Sequence, residues 1–364
     1  MSQAYVRYSD DVESVASDEA ETVDHILASM RRIDEQTRAK EGGHAVRTSH
    51  AKSHGVAVGE LTVLDGLPEP LRQGLFARAA TYPVIVRLSN VPGEIVPDAV
   101  NTQRGFAFKV LGVAGEMLPA HAGETTQDFV LENGDRFTVS DIKTFLAFQL
   151  GLEPAPRIPG PVKVAVSSAA RLANEALHAV NVESPNLDFL GHPRIHPLAE
   201  AYFTQAPIRY GDYIAKLAVV PVAPGQLALS DAKLDEKNDP NALRTATVGY
   251  LRDNDAAFDV RVQLCTDLET MPVEDAHREW REDESPYVTV ARLRIPRQDA
   301  YSPARQAYVD DDLSFCPSHS LAAHRPLGSI MRARLRAYPA MSRLRREANG
   351  RPLTEPASIE TVPA

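Results

Sequence analysis

Cysteine is almost missing from this chain: two in 364 residues, Cys265 and Cys316. They can form neither a disulfide framework nor a thiolate-based zinc site, and both are expected to stay reduced. An excess of basic residues is missing as well. The formal net charge is −10, which makes nucleic acid and an anionic membrane surface poor partners. No stretch approaches about 18 consecutive apolar residues, so no membrane span is expected. The opening run MSQAYVRYSDDVESVASDEAE is acidic and lacks the apolar segment of a secretory signal, which points to the cytoplasm. No glycine-rich loop matches a dinucleotide or Walker pattern.

What remains is ordinary globular material, 43% hydrophobic and 24% charged. Val23, Ile26, Leu27, Met30 and Ile33 recur at helical spacing and predict an amphipathic helix over 18–40. Ser17 is its expected N-cap, and Gly42-Gly43 its stop. Residues 1–17 read as disordered or extended. Short β-type runs follow at 56–63, 84–88, 106–110 and 129–131, then at 216–222, 258–264 and 287–295. Helices are expected over 141–150 and 163–180, separated by the proline-rich break APRIPGPV. Residues 223–245 read as a long loop or hairpin, 296–328 as irregular, and 350–364 as a loose tail. The class is α+β: a mainly antiparallel sheet or barrel with helices at both ends. The expected units are an N-terminal arm and helix (1–44), the barrel with inserted helices (45–295), a wrapping segment with a last helix (296–349), and a tail (350–364).

That last helix carries RLRAYPAMSRLRR, in which Arg334 and Tyr338 are four apart and share a face. Pro339 removes an amide donor and is expected to bend it. A guanidinium held against a phenol favours the phenolate. Ionising a free tyrosine at neutral pH costs about 4 kcal/mol, which arginine alone does not supply but a ferric ion on the oxygen would. Tyrosinate is a known haem ligand. The competing reading is a solvated arginine-rich face with a packed ring.

Three further clusters accompany it. Arg47-Thr48-Ser49-His50-Ala51-Lys52 places a histidine at a strand entrance, where it can accept a proton, although a packed surface histidine looks the same. His50 and His54 are four apart, a zinc spacing on a helix, but the context is strand and loop. Arg87 in VRLSNVPGE and Arg104 in RGFAFKV can bind carboxylates, or simply be edge-strand charges. Asp128-Phe129-Val130-Leu131-Glu132-Asn133, with Phe137 and Phe145, offers an amide and rings that can orient and cover a ligand, or merely pack.

In this order the clusters resemble the haem catalase family, over about Arg47 to Arg346. RTSHAKSHGVAVGELTV is similar to the family's distal-histidine segment R-x-x-H-A-K-G-x-G-A-x-G, and RLRAYPAMSRLR to R-L-F-x-Y-x-D-T-x-x-x-R at the proximal tyrosine. His324-Arg325-Pro326-Leu327-Gly328 resembles the segment preceding that tyrosine in small catalase-related haem peroxidases. The resemblance implies a catalase-like antiparallel β-barrel with flanking helices and haem b buried between barrel and proximal helix. It implies His50 as distal catalytic histidine, Tyr338 as iron ligand and Arg334 as the arginine stabilising its phenolate. Arg47, Arg87 and Arg345 match propionate-holding positions, Ser89 supports the distal histidine, and Phe145 packs on the haem.

Three departures matter. The distal asparagine falls at Asn133 with a one-residue ambiguity, because Glu132 precedes it. Ser49 stands where catalases usually carry valine, and its hydroxyl can hydrogen-bond the imidazole; threonine stands there in allene oxide synthases. The chain is short for a catalase helical domain, so NADPH is not expected. The implied activity is reduction or dismutation of hydrogen peroxide or an organic hydroperoxide through an oxidised haem, with an unknown electron donor and a homo-oligomeric state. The rivals are a fatty-acid hydroperoxide isomerase or dehydratase, a non-catalytic haem-binding protein, and a haem-free lipocalin-like barrel.

Overall fold

A computed structural model describes residues 4–180, 182–352 and 354–364. Helix α1 (Glu19–Lys40) leads into four antiparallel strands, β1 (Ser53–Val63), β2 (Thr81–Asn90), β3 (Arg104–Leu111) and β4 (Thr126–Glu132). Helices α2 (Ile142–Leu152), α3 (Gly160–His178) and α4 (Pro185–Leu190) interrupt them. Then come β5 (Tyr202–Phe203), β6 (Ile208–Tyr210), β7 (Tyr213–Pro221), α5 (Pro224–Leu227), α6 (Ala242–Asp253), β8 (Ala256–Leu264) and β9 (Val288–Ile295). Helices α7 (Pro303–Ala307) and α8 (Ser329–Asn349) follow.

The sheet runs β5-β4-β3-β2-β1-β9-β8-β7, and β5 pairs back onto β7, so eight antiparallel strands close into a barrel. Strands β5 and β6 lie on the same edge of β7, as Phe203↔Ala218 and Ile208↔Ala215, with Gln205 at φ 62° between them. They are one barrel strand broken by a kink, too short and too interrupted to show a period.

Val86, Leu88, Phe106, Phe108, Phe129 and Leu131 fill the barrel with the aliphatics of β7–β9. The alternate residues Ile85, Arg87, Ser89, Lys109 and Asp128 face outward, yet they are buried too. Helices and the 296–328 segment cover that face, which is why β3 is buried at every position. Strands covered on both sides read as continuous runs rather than alternation.

The other helices begin and end where local chemistry requires. Asp141 caps α2 by accepting from Lys143 N and Thr144 N at 2.8 and 3.0 Å, while Thr144 Oγ1 accepts from Asp141 N at 3.1 Å. Helix α8 continues through Pro339 and stops at Gly350, which takes the left-handed conformation at φ 63°.

Several expectations change. Residues 4–17 are extended apart from a 3-10 turn at Asp10–Val12, but they are docked: Arg7 bridges Tyr213, and Val6, Tyr8 and Val12 pack beside Ile214 and Trp280. The expectation for residues 1–3 lies outside the described residues. The segment 223–245 is not a hairpin but holds α5 and the start of α6, whose Leu243, Val248 and Leu251 are buried. The polar run 231–241 masked that onset. The tail is not loose either. Val362 is buried against Val56 and Ile85, and Glu355 pairs with Lys109 at 2.7 Å. Leu353 lies outside the described residues.

Candidate active site

His50 follows the loop after α1 and has φ 55°, unusual for any residue but glycine. Its backbone is held from both sides. His50 N donates to Val91 O at 2.8 Å, and Arg87 Nη2 donates to His50 O at 2.6 Å. Strained backbone persists where neighbours over-determine it, often at working sites. The imidazole is fixed as well, with Nδ1 3.1 Å from Ser89 Oγ and Nε2 2.9 Å from Glu132 Oε1. Gly105 on β3 makes room for it: a Cβ there would stand 2.6 Å from both Cε1 and Nδ1 of His50.

Glu132 ends β4 and points at this ring. Burial alone would raise its pKa, but the hydrogen bond from His50, the His50 charge and Arg334 together hold it below the ordinary glutamate value. With Glu132 a carboxylate, Nε2 carries the proton of the bond between them. Asn133 faces elsewhere. Its Oδ1 accepts from Arg104 N at 2.9 Å and its Nδ2 donates to Ala201 O at 3.2 Å. A one-residue step along a strand reverses the side-chain face, so only one of the two can meet His50. The side chain that meets His50 is therefore the Glu132 carboxylate and not the expected Asn133 amide.

On α8, Arg334 Nη2 donates to Tyr338 Oη at 2.8 Å, one helical turn apart. Burial would lower the pKa of Arg334, but the Tyr338 oxygen and Glu132 raise it. Nearby, Arg47, Arg87 and Arg345 are gathered with little counter-charge. Arg87 and Arg345 are pushed well below the usual guanidinium range, by burial first and then by Arg47 and other arginines. Arg47 donates to the carbonyls of Val309 and Leu313 and lies 3.5 Å from Asp310 Oδ1. The Nε atoms of Arg87 and Arg345 are buried without a hydrogen-bond partner. Like charges buried this way suit an anionic ligand with two or more oxygens.

Two adjoining cavities of about 440 and 90 Å³ share Met30, Thr48, Ser49, Ala337 and Tyr338. The smaller is lined by His50, Ser89 and the three arginines; the larger by Glu132, Arg334, Phe137, Phe145 and apolar residues of α1–α3. An apolar cavity with an oxygen donor at one wall and arginines at another fits an apolar macrocycle that carries carboxylates and an oxygen-liganded metal. Tyr338 can ligate the metal, and Arg47, Arg87 and Arg345 can hold the carboxylates.

The other expected residues divide. Phe145 lines the larger cavity. Ser49 lines both, but its hydroxyl donates to Val91 O at 3.3 Å and not to His50. Arg104 stays out of the site, bound to Glu200 at 2.6 Å. His54 is fully buried with neither ring nitrogen hydrogen-bonded, and joins no metal-ligating cluster among the described residues. His324 accepts from Leu75 N at 2.9 Å and belongs to the core. Gly105 was not singled out by spacing; its signal is a small residue inside an otherwise bulky strand.

No family model and no curated protein matches this chain. Solved structures do. A fungal catalase superposes with a TM-score of 0.58 at 16% identity, over 85% of this chain and 61% of that one. The fold is that of the catalases. A bacterial catalase matches at 0.57 and 16% identity over 98% of this chain, and catalase A from Saccharomyces cerevisiae at 0.58 and 14% over 88%. The chain spans 61–67% of the length of these catalases. In this catalase-like frame the site lies on the outer face of β2–β4, beneath α8, with α1 and α2 beside it. No helix among the described residues is long and apolar enough to cross a membrane.

Proposed function

We propose that this protein binds haem b and acts as a peroxidase or catalase-like oxidoreductase on hydrogen peroxide or an organic hydroperoxide. The Arg334–Tyr338 hydrogen bond carries this reading. Arg334 holds the oxygen that would bind iron, and the buried arginines beside it can take carboxylates. Tyr338 would ligate the iron, while Arg47, Arg87 and Arg345 would hold the propionates. When bound, haem supplies the redox chemistry that cleaves the O–O bond.

The chain's own groups would manage the proton. Glu132 lines the cavity as a carboxylate and is placed to take the hydroperoxide proton. Nε2–H of His50 steadies that carboxylate, and Ser89 fixes the ring from the other side. The proton then returns from the His50–Glu132 pair to the departing oxygen. Nε2 is engaged by Glu132, so peroxidase turnover with little oxygen release is favoured over vigorous dismutation.

The test is a visible spectrum of haem-reconstituted protein, followed by oxygen release and donor oxidation on adding hydrogen peroxide. We expect a high-spin ferric spectrum that changes in Tyr338→Phe. His50→Ala should keep the haem and lose turnover by about 10²–10⁴-fold. Failure to take up haem would sink the reading.

A further inference from the structure

Away from that site, the β3–β4 connection meets the segment before α8. Two histidine rings lie close together there, those of His121 and His319, with centroids 3.6 Å apart and planes tilted by 34°. His121 Nδ1 is 3.1 Å from Glu124 Oε2, and His319 Nε2 is 2.6 Å from the same oxygen. Glu355 Oε1, on the C-terminal segment, is 3.4 Å from His319 Nε2. One ligand atom from each of His121, Glu124 and His319 falls within 4.8 Å of the others.

Hydrogen bonds account for His121 but not for His319. His319 is only 6% exposed, yet neither of its ring nitrogens makes an aligned hydrogen bond. Glu355 Oε1 is likewise buried without one. Buried polar atoms almost always find partners, so convergent unpartnered donors call for an explanation. The surroundings also match what a bound ion needs. His121 Nε2 is 2.8 Å from Ser318 Oγ, which leaves Nδ1 as the free lone pair when Nε2 carries the proton. Lys109 holds Glu355 by its other oxygen at 2.7 Å. Asp128 and Glu355 share Lys109 as their close cation, with Arg346 acting on Glu355 from further off, so a divalent ion here would add countercharge.

We propose that His121 Nδ1, His319 Nε2 and Glu124 bind one divalent transition-metal ion, with zinc the best match and Glu355, 3.4 Å from His319 Nε2, the candidate for the fourth position. Two imidazoles and two carboxylates form a borderline nitrogen–oxygen set of the kind zinc accepts. Tetrahedral ligands at about 2.0–2.2 Å from zinc stand roughly 3.3 Å from one another. Two of the spacings here, 3.1 and 3.4 Å, are close to that. The short His319–Glu124 approach must open, and Glu124, with a side chain 37% exposed, has room to move. The ion joins three segments distant in sequence and fastens the C-terminal segment to the barrel. The site is independent of the haem-type cavity.

Full-length protein, stripped with EDTA and dialysed, is titrated with zinc chloride and passed through gel filtration before its metal is counted. We expect one zinc retained per chain, with a rise in melting temperature that saturates at one equivalent. Ser318→Ala should weaken binding about tenfold, and loss of a ligand by His121→Ala or Glu124→Gln should weaken it further. His121 and Glu124 are more exposed than His319, so these variants keep the test usable if His319→Ala does not fold. Zinc that fails to saturate at one equivalent, or that binds His121→Ala/Glu124→Gln as tightly as the parent, overturns the site. Zinc content and melting temperature are read without haem or peroxide, so the outcome does not depend on the proposed activity.

Discussion

A carboxylate in contact with a buried imidazole sets the pH at which the pair is intact. Glu132 is held below the ordinary glutamate value by the His50 hydrogen bond, the His50 charge and Arg334, against the upward push of burial. A depressed carboxylate stabilises the fold above its unfolded value, about 4.3, and that contribution is lost as pH falls through the lower folded value. The acid limb of the pH–rate profile should therefore lie below the ordinary glutamate value. Glu132→Gln should remove that limb and lower kcat/KM about 100-fold, read from initial rates across pH. An unchanged profile in Glu132→Gln would take the carboxylate out of the chemistry. Gly105 tests the same pair by shape. In Gly105→Ala the new methyl group would stand 2.6 Å from the His50 ring, so the ring must shift. Turnover should fall while haem uptake is retained.

Helix α8 carries the tyrosine and is anchored by its opposite face. Arg332 reaches Glu13 and Glu274 through Nη1, at 2.7 and 2.8 Å, and Glu19 through Nη2 at 2.7 Å. This one guanidinium joins the N-terminal extended segment, the start of α1 and the segment after β8. Arg332→Ala leaves Glu19 and Glu274 without this cation, while Glu13 keeps Arg325 at 2.5 Å. It should cost about 3 kcal/mol, measured by the shift in urea midpoint at constant slope. The periodic elements were legible in the sequence. The α1 pattern of Val23, Ile26, Leu27, Met30 and Ile33 predicted a helix that the structure places at Glu19–Lys40. The seven long strands were visible as apolar or β-branched runs. Elements that owe their form to distant partners were not. Residues 4–17 have no period of their own and dock through single contacts such as Val6 N to Cys265 O at 2.9 Å. At the site, Tyr338 with Arg334 was readable because helical spacing alone brings them together. Glu132 against Asn133 was not, because a β-strand face depends on register, and register is set by β3.

For the whole molecule, the buried arginine cluster is a strain that a ligand would relieve. Arg47, Arg87 and Arg345 repel one another in a poorly solvated place. Replacing one of them with an apolar side chain of similar length relieves the repulsion, as for other buried charges. Arg345→Met should leave the haem-free protein at least as stable as the parent while weakening haem binding about tenfold or more. Thermal melts with and without haem separate the two effects. Loss of stability in the haem-free variant would mean that the arginines already have sufficient partners.

The barrel closes through very little backbone: β4 meets β5 at the single pair Glu132↔Phe203, and β5 is two residues long. The residue that completes the ring of strands is also the one that holds His50. Local opening spreads most easily where few hydrogen bonds must break together. The seam is then expected to open locally, and each opening would carry the Glu132 carboxylate away from the imidazole and let water reach both. Amide exchange at Glu132 and Phe203 would time that breathing, and so measure how often the proposed proton relay is interrupted.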